Sequence, residues 1–181
     1  MALNTQRCTP PGAALSFVWT CAPEGGLVAA EWVGREGAVQ DLSPPDHARA
    51  PSSGPEPSPA ARPFLVPFDP RDFFRDPRCW RPPVDLPAGS VHARRVWQAV
   101  CEIPVGQTRS YGEIARQIGS SPRAVGQACK ANPWPLFVPC HRVVPATALD
   151  SESAGGYSGR RDGPLARVKA WLLAHEADTP A

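Results

Sequence analysis

Six cysteines stand at positions 8, 21, 79, 101, 129 and 140, and no Cys-x-x-Cys occurs among them. That absence excludes the dithiol redox motif and the usual zinc-ribbon spacing. No apolar run reaches membrane length, and neither a signal-peptide pattern nor a lipidation motif is present. Free thiols in a reducing compartment are therefore expected rather than a disulfide framework, in a soluble protein of the cytoplasm, or of the nucleus in a eukaryote. A glycine-rich loop ending in Gly-Lys-Ser/Thr is also missing, which removes the phosphate-binding-loop reading for Ala154-Gly-Gly-Tyr-Ser-Gly159.

What is abundant is proline, 24 residues of 181, unevenly spread. From Ser43 to Pro63 the chain is mostly Pro, Ser and Ala, with His47, and has no periodicity, which reads as a loop or linker. The net charge of +2 hides an asymmetry. Ser90 to Leu172 carries 11 Arg and Lys against 5 Asp and Glu, and the remainder carries 8 against 12. The basic half is where a polyanion would bind, although an arginine-rich surface can also be merely solvated.

Two β-like runs within residues 13–33, separated by Pro23-Glu-Gly-Gly26, predict a hairpin. Phe64 to Trp80 brings aromatics that need a core. Val91, Val96, Trp97, Val100 and Ile103 predict a helix stripe that stops at Pro104-Val-Gly106. Ser110-Tyr-Gly-Glu113 has capping-box form and opens a second helix with Ile114, Ala115 and Ile118 inward. Gly119 ends it. Ser121 and Pro122 open a third helix, Pro122 to Ala131, so that helix, short turn and helix outline a helix-turn-helix. Its small residues Ala124, Gly126 and Ala128 suit close approach of a partner or tight helix packing alike. Leu165 to Glu176 predicts a last helix with Val168, Trp171, Leu172 and Leu173 inward.

The chemistry concentrates in Asn132-Pro-Trp-Pro-Leu-Phe-Val-Pro-Cys140-His141-Arg142. A thiol is a nucleophile only as thiolate, and apolar surroundings raise its pKa unless a base or cation is near. Pro133, Pro135 and Pro139 predict an extended, rigid connection from Trp134 to Val138 leading into the Cys-His pair. On these residues alone, Cys140 is as readily a buried small hydrophobe, and His141 a satisfied core histidine, as a nucleophile and its base.

Taken in order, Ile103-Pro-x-Gly-x-x-x-Ser-Tyr111-Gly-x-Ile-Ala115, Arg123-Ala-Val-Gly126, Asn132-Pro, Pro139-Cys-His-Arg-Val-Val144, Gly155-Gly-Tyr-Ser-Gly159 and Lys169-x-x-Leu-Leu173-x-x-Glu176 resemble the O6-alkylguanine-DNA alkyltransferases. The resemblance covers residues 84 to 176 in detail. It implies an α+β fold: a small N-terminal β-sheet (α/β) domain at 1–89, holding the loop 43–63, then a mainly helical domain at 90–178 with a winged-helix-like helix-turn-helix. It further implies irreversible, once-only transfer of an alkyl group from O6-alkylguanine, with O4-alkylthymine a further candidate, in duplex DNA to Cys140.

In that family's terms His141 activates Cys140 through water, Glu176 orients the imidazole, and Asn132 holds the turn near the thiolate. Tyr111 presses on the target's 3′ phosphate, while Arg123 fills the gap left by the flipped base. Ala124 and Gly126, with Ala128, lie in the minor groove. Tyr157 and Ser158 donate to the purine, and Pro135 and Gly159 line the alkyl side. Arg142 is expected as a structural ion-pair partner. The partner is double-stranded DNA with no membrane and no obligate protein, the protein acts as a monomer, and no cofactor or metal is expected. Some relatives hold zinc near the N-terminus, for which Cys8, Cys21 and Cys79 with His47 or His92 would be the candidates.

The chain departs from the family pattern at Val91-His-Ala, where Phe-Gln is usual, and in a longer, acidic loop after Val144 carrying Asp150 and Glu152. Three rivals remain: an alkyltransferase-like protein that grips the lesion and recruits other factors, a thiol hydrolase, and a transcription regulator. The first lacks the cysteine that this chain keeps. The second needs an oxyanion hole and the third a dimerisation segment, and neither is visible.

Overall fold

Strand β2 (Leu15–Cys21) pairs antiparallel with β1 (Asn4–Cys8) on one side and β3 (Leu27–Gly34) on the other, in a computed structural model describing residues 3–11, 13, 15–21, 23, 26–34, 67–148, 155–157 and 163–178. The predicted hairpin is the β2–β3 pair. Strand β1 was not predicted: Asn-Thr-Gln-Arg-Cys lacks apolar alternation because it lies mostly exposed at the sheet edge. The expected loop 43–63 lies outside the described residues, as does His47.

The sheet's inner face supplies Leu15, Phe17, Trp19, Leu27, Ala30 and Trp32 to an apolar cluster completed by Phe68, Phe73, Phe74 and Trp80. Phe68, Phe73, Phe74 and Trp80 of the predicted aromatic segment find their core here, on or beside α1 (Pro70–Phe73) and the 3-10 turn Pro77–Cys79, while Phe64 lies outside the described residues. Phe17 touches Trp32 and Phe137 at ring-centroid distances of 5.0 and 6.2 Å. Leu136, Phe137, Tyr157, Val168 and Leu172 join from beyond Ser90, so the cluster spans both halves of the chain. Cys8 and Cys21 sit at opposite ends of the β1–β2 ladder and His92 Nε2 bonds Ser120 Oγ at 2.8 Å. Among the described residues no three His, Cys, Asp or Glu side chains could share a metal ion.

A second cluster packs α2 (Val91–Cys101), α3 (Tyr111–Ile118) and α4 (Pro122–Lys130) around Val96, Trp97, Val100, Ile103, Ile114, Val125 and Val138. Val91 does not belong to the predicted stripe and is 80% exposed. It precedes Val96 by five residues, which places it about 140° round the helix from that face. The Ser110–Glu113 capping box forms as read, with Ser110 N donating to Glu113 Oε2 at 2.6 Å and Glu113 N to Ser110 Oγ at 3.2 Å. Gly119 closes α3 at φ 63°, the left-handed conformation that favours glycine. Ser121 caps α4, and Trp97 Nε1 donates to Ala128 O at 2.9 Å. Ala128 is therefore an inward residue, a correction to its placement beside Ala124 and Gly126, which are half-buried.

The segment after α4 is a turn, not the extended run predicted. Val138 N donates to Trp134 O at 2.9 Å, and Leu136 takes φ 74° in the left-handed region. The prolines stop the helix, but the buried Leu136 side chain and its neighbours set the direction. A 3-10 turn, Cys140–Arg142, follows, and then β5 (Val143–Val144), which pairs parallel with β4 (Arg109–Ser110). Helix α5 (Pro164–Ala177) buries Val168, Lys169, Leu172 and Glu176. Trp171 and Leu173, predicted inward, are only partly covered, and two charged residues, Lys169 and Glu176, are buried instead. The architecture is α+β, and no helix among the described residues is long and apolar enough to cross a membrane.

Candidate active site

Cys140 opens a 3-10 turn held between α2, α5 and the Trp134–Val138 turn, and its side chain is 4% exposed. Asn132, just past the end of α4, reaches both sides of the motif. Its Nδ2 donates to Val138 O at 3.0 Å and to Cys140 Sγ at 3.3 Å, while its Oδ1 accepts from Trp134 N at 3.0 Å. The three contacts agree on one amide orientation.

His141 and Arg142 are fully buried and turn to the same partner on α5. His141 Nε2 lies 2.8 Å from Glu176 Oε1; Arg142 Nη2 donates to that oxygen at 2.9 Å and Nε to Oε2 at 3.0 Å. Arg142 Nη1 donates to Ile103 O at 2.7 Å, and Gly106 N to Glu176 Oε2 at 3.3 Å. With the carboxylate on Nε2, that nitrogen carries the proton and Nδ1 keeps the lone pair. Nδ1 is buried and makes no hydrogen bond.

The electrostatics follow from burial opposed by pairing. The adjoining Cys129 side chain and desolvation push the Cys140 thiol well above its ordinary range, and the Asn132 amide opposes them. The resting group is a thiol, so reactivity needs a base. Burial lowers the pKa of His141, with Glu176 pulling the other way, and the imidazole is neutral at neutral pH. Burial alone would raise Glu176, yet His141 and Arg142 outweigh it and hold the carboxyl at about 2. The triplet is an ion pair carrying a neutral, basic imidazole.

The structure thus brings Cys140, Asn132, His141 and Glu176 together. Tyr157 is buried beside them with its hydroxyl turned to the Trp32 indole, and Pro135 is buried in the preceding turn. Tyr111 stands at the start of α3 against α4: a side chain at Gly126 would place Cβ 3.9 Å from Tyr111 Cε1. Arg123 is exposed at the start of α4, with Ala124 next to it. Ser158 and Gly159 lie outside the described residues.

Two neighbours of the site had no assigned role in the sequence reading. Lys169 is fully buried, donating from Nζ to Val143 O at 2.7 Å and Gly156 O at 3.2 Å, and burial lowers its pKa to about 8. It precedes Glu176 by seven residues, two helical turns, and that spacing could have flagged a shared inward face. Cys129, on the last turn of α4, packs against the cluster that contains Cys140.

Similarity to known proteins falls on this part of the chain. Residues 92–178 match the family model for the 6-O-methylguanine DNA methyltransferase DNA-binding domain. A methylated-DNA–protein-cysteine methyltransferase of Mycolicibacterium paratuberculosis is 53% identical over 95 residues, 51% of this chain and 53% of that protein. The constitutive one of Bacillus subtilis is 44% identical over 87 residues, 47% and 48% of the two. The chain spans about half the length of the relatives it matches. A variant of Mycobacterium tuberculosis O6-methylguanine methyltransferase aligns over 99% of this chain and 96% of its own, with 26% identity and a TM-score of 0.63. Mycobacterium tuberculosis OGT in complex with DNA aligns over 98% and 95%, with 25% identity and a TM-score of 0.59.

Proposed function

We propose, from the match of residues 92–178 to the 6-O-methylguanine DNA methyltransferase family model, that the protein repairs alkylated DNA directly by moving the alkyl group to Cys140. The observation that carries this reading is the buried thiol beside Asn132, followed in sequence by a neutral imidazole whose other nitrogen is locked onto Glu176. In the resting protein the thiol is protonated and protected. On binding the lesion, His141 Nδ1 accepts the Cys140 proton through one water, Glu176 stabilises the imidazolium, and Asn132 steadies the thiolate.

Sulfur attacks the alkyl carbon, the carbon–oxygen bond breaks, and its electron pair passes to the purine. Hydrogen bonds donated by Tyr157 and Ser158 spread the charge left on the departing guanine, which takes up a proton from solvent while the His141 imidazolium returns one to it, so guanine does not leave as a bare anion. The product is a thioether that nothing in the site reverses, and each molecule acts once, as a monomer and without a cofactor. The partner is duplex DNA approached from the minor groove by α4. Arg123 fills the space of the flipped O6-alkylguanine, Tyr111 crowds its 3′ phosphate, Ala124 and Gly126 allow close approach, and Pro135 and Gly159 line the alkyl side. The division into a sheet domain at 1–89 and a transfer domain at 90–178 belongs to the same proposal. The lesion-binding alternative, without transfer, is disfavoured by the presence of Cys140.

Incubation with a duplex carrying one O6-methylguanine tests the proposal. The peptide containing Cys140 gains the mass of one methyl group, and Cys140→Ala gains none while still binding the duplex. Repair retained by Cys140→Ala, or methyl on another residue, refutes it.

A further inference from the structure

We propose that Trp80, outside the family-matched segment, is a positioning residue for alkyl transfer that fixes Arg142, and through it the Glu176–His141 pair, from the aromatic side of the core. The inference rests on the alkyl-transfer reading of the site. The guanidinium carbon of Arg142 lies 4.2 Å from the Trp80 ring centroid. On its other contacts the same guanidinium donates to Glu176 and to Ile103 O. The indole is tied at its polar end as well: Nε1 donates to Leu136 O at 3.1 Å. Leu136 is the one described non-glycine residue with positive φ, in the turn that leads into Cys140. One ring therefore braces both approaches to the reactive thiol, the strained turn before it and the ion pair behind His141.

A planar cation over an indole face is favoured by the ring quadrupole, and more so when both are desolvated, as here. Arg142 left without the ring could still reach Glu176 but would have more room to tilt, and two hydrogen bonds to one carboxylate demand a fixed plane. The groups facing His141 are Glu176 and Lys169 from α5 and Arg142 from its own turn, while Cys101 of α2 faces Arg142. If Arg142 tilts away, Glu176 acts on His141 with less of its charge offset, and the imidazole becomes harder to deprotonate.

Single-turnover methyl transfer by full-length Trp80→Leu and Trp80→Phe, followed across pH, tests the assignment. Cys140 alkylation by iodoacetamide, read on its peptide, gives the same profile without DNA. The expected results are a transfer rate roughly tenfold lower for Trp80→Leu and about threefold lower for Trp80→Phe, which keeps a ring but no N–H. The duplex Kd stays unchanged and the acid limb of both profiles moves to higher pH. A merely structural tryptophan would lower Tm without moving that limb. Unchanged rate and acid limb in folded Trp80→Leu overturn the inference; if that variant does not fold, the same result in Trp80→Phe does. Failure of the wild-type protein to methylate Cys140 instead overturns the transfer reading alone, since the iodoacetamide profiles still decide the role of Trp80.

Discussion

The two buried regions of this molecule are built on opposite principles. Under the sheet, Phe17, Trp19, Trp32, Phe68, Phe73, Phe74 and Phe137 pack ring on ring with no charged residue buried among them, the Arg71 guanidinium lying over the Trp19 face from the exposed side. About the thiol, His141, Arg142, Lys169 and Glu176 are as deeply buried as any of those rings. Apolar packing is non-directional, so its stability is spread over many contacts and each ring can shift a little. A buried charge has no such tolerance, because a partner lost leaves an uncompensated ion in low dielectric. The first region supplies bulk stability, and the second converts part of it into fixed geometry at the site. Trp80 stands where they meet.

Two substitutions of similar expected cost to stability separate these roles. Phe17→Ala and Glu176→Gln should each destabilise by about 3–5 kcal/mol in denaturant titration, the first by leaving a cavity and the second by stranding Arg142. Their effects on chemistry should differ. Methyl transfer per folded molecule stays within about twofold for Phe17→Ala and falls on the order of a hundredfold for Glu176→Gln, which removes the charge that supports the base. Equal transfer rates would break the comparison.

Acid sharpens it. Glu176 is held at about 2 against an ordinary 4.5, so its pairing stabilises the fold above the ordinary value and is lost as pH falls toward 2. That contribution is on the order of 3 kcal/mol. His141, held below the ordinary 6.5 mainly by burial, works in the same sense, since it resists the proton that the unfolded chain accepts. The wild-type protein should lose stability between pH 6 and pH 2 more steeply than Glu176→Gln, as read by urea midpoints; parallel curves would contradict the pairing. The smallest effect lies outside both regions. Ser110→Ala removes one side of the capping box and should cost about 1 kcal/mol, measured as a shift in Tm, with Cys140 reactivity unaltered.

The parts legible in sequence were those set by local chemistry. Ser110 and Glu113 satisfy each other's neighbouring amides across three residues, and Ser121-Pro122 opens α4 in the same local way, so the helix-turn-helix could be read directly. Strand β1 escaped because a polar edge strand carries no alternation. The turn at Leu136 escaped because prolines announce a break without saying which residue turns left-handed. In the site, Glu176 meets His141 across 35 residues. Resemblance to a family pointed to that pair, and no rule of spacing could have. Lys169 and Trp80 had no local signal either: a buried lysine reads as a surface residue until the carbonyls that accept from it are in place.

The most direct test of the account is a count of guanines restored when the protein meets a tenfold molar excess of duplex carrying O6-methylguanine. Consumption of Cys140 predicts a plateau at one guanine per protein molecule, matched by one methyl on the Cys140 peptide. Restoration that continues past one per molecule would show that the thiol is regenerated, and would contradict the reading of Cys140 as a single-use acceptor.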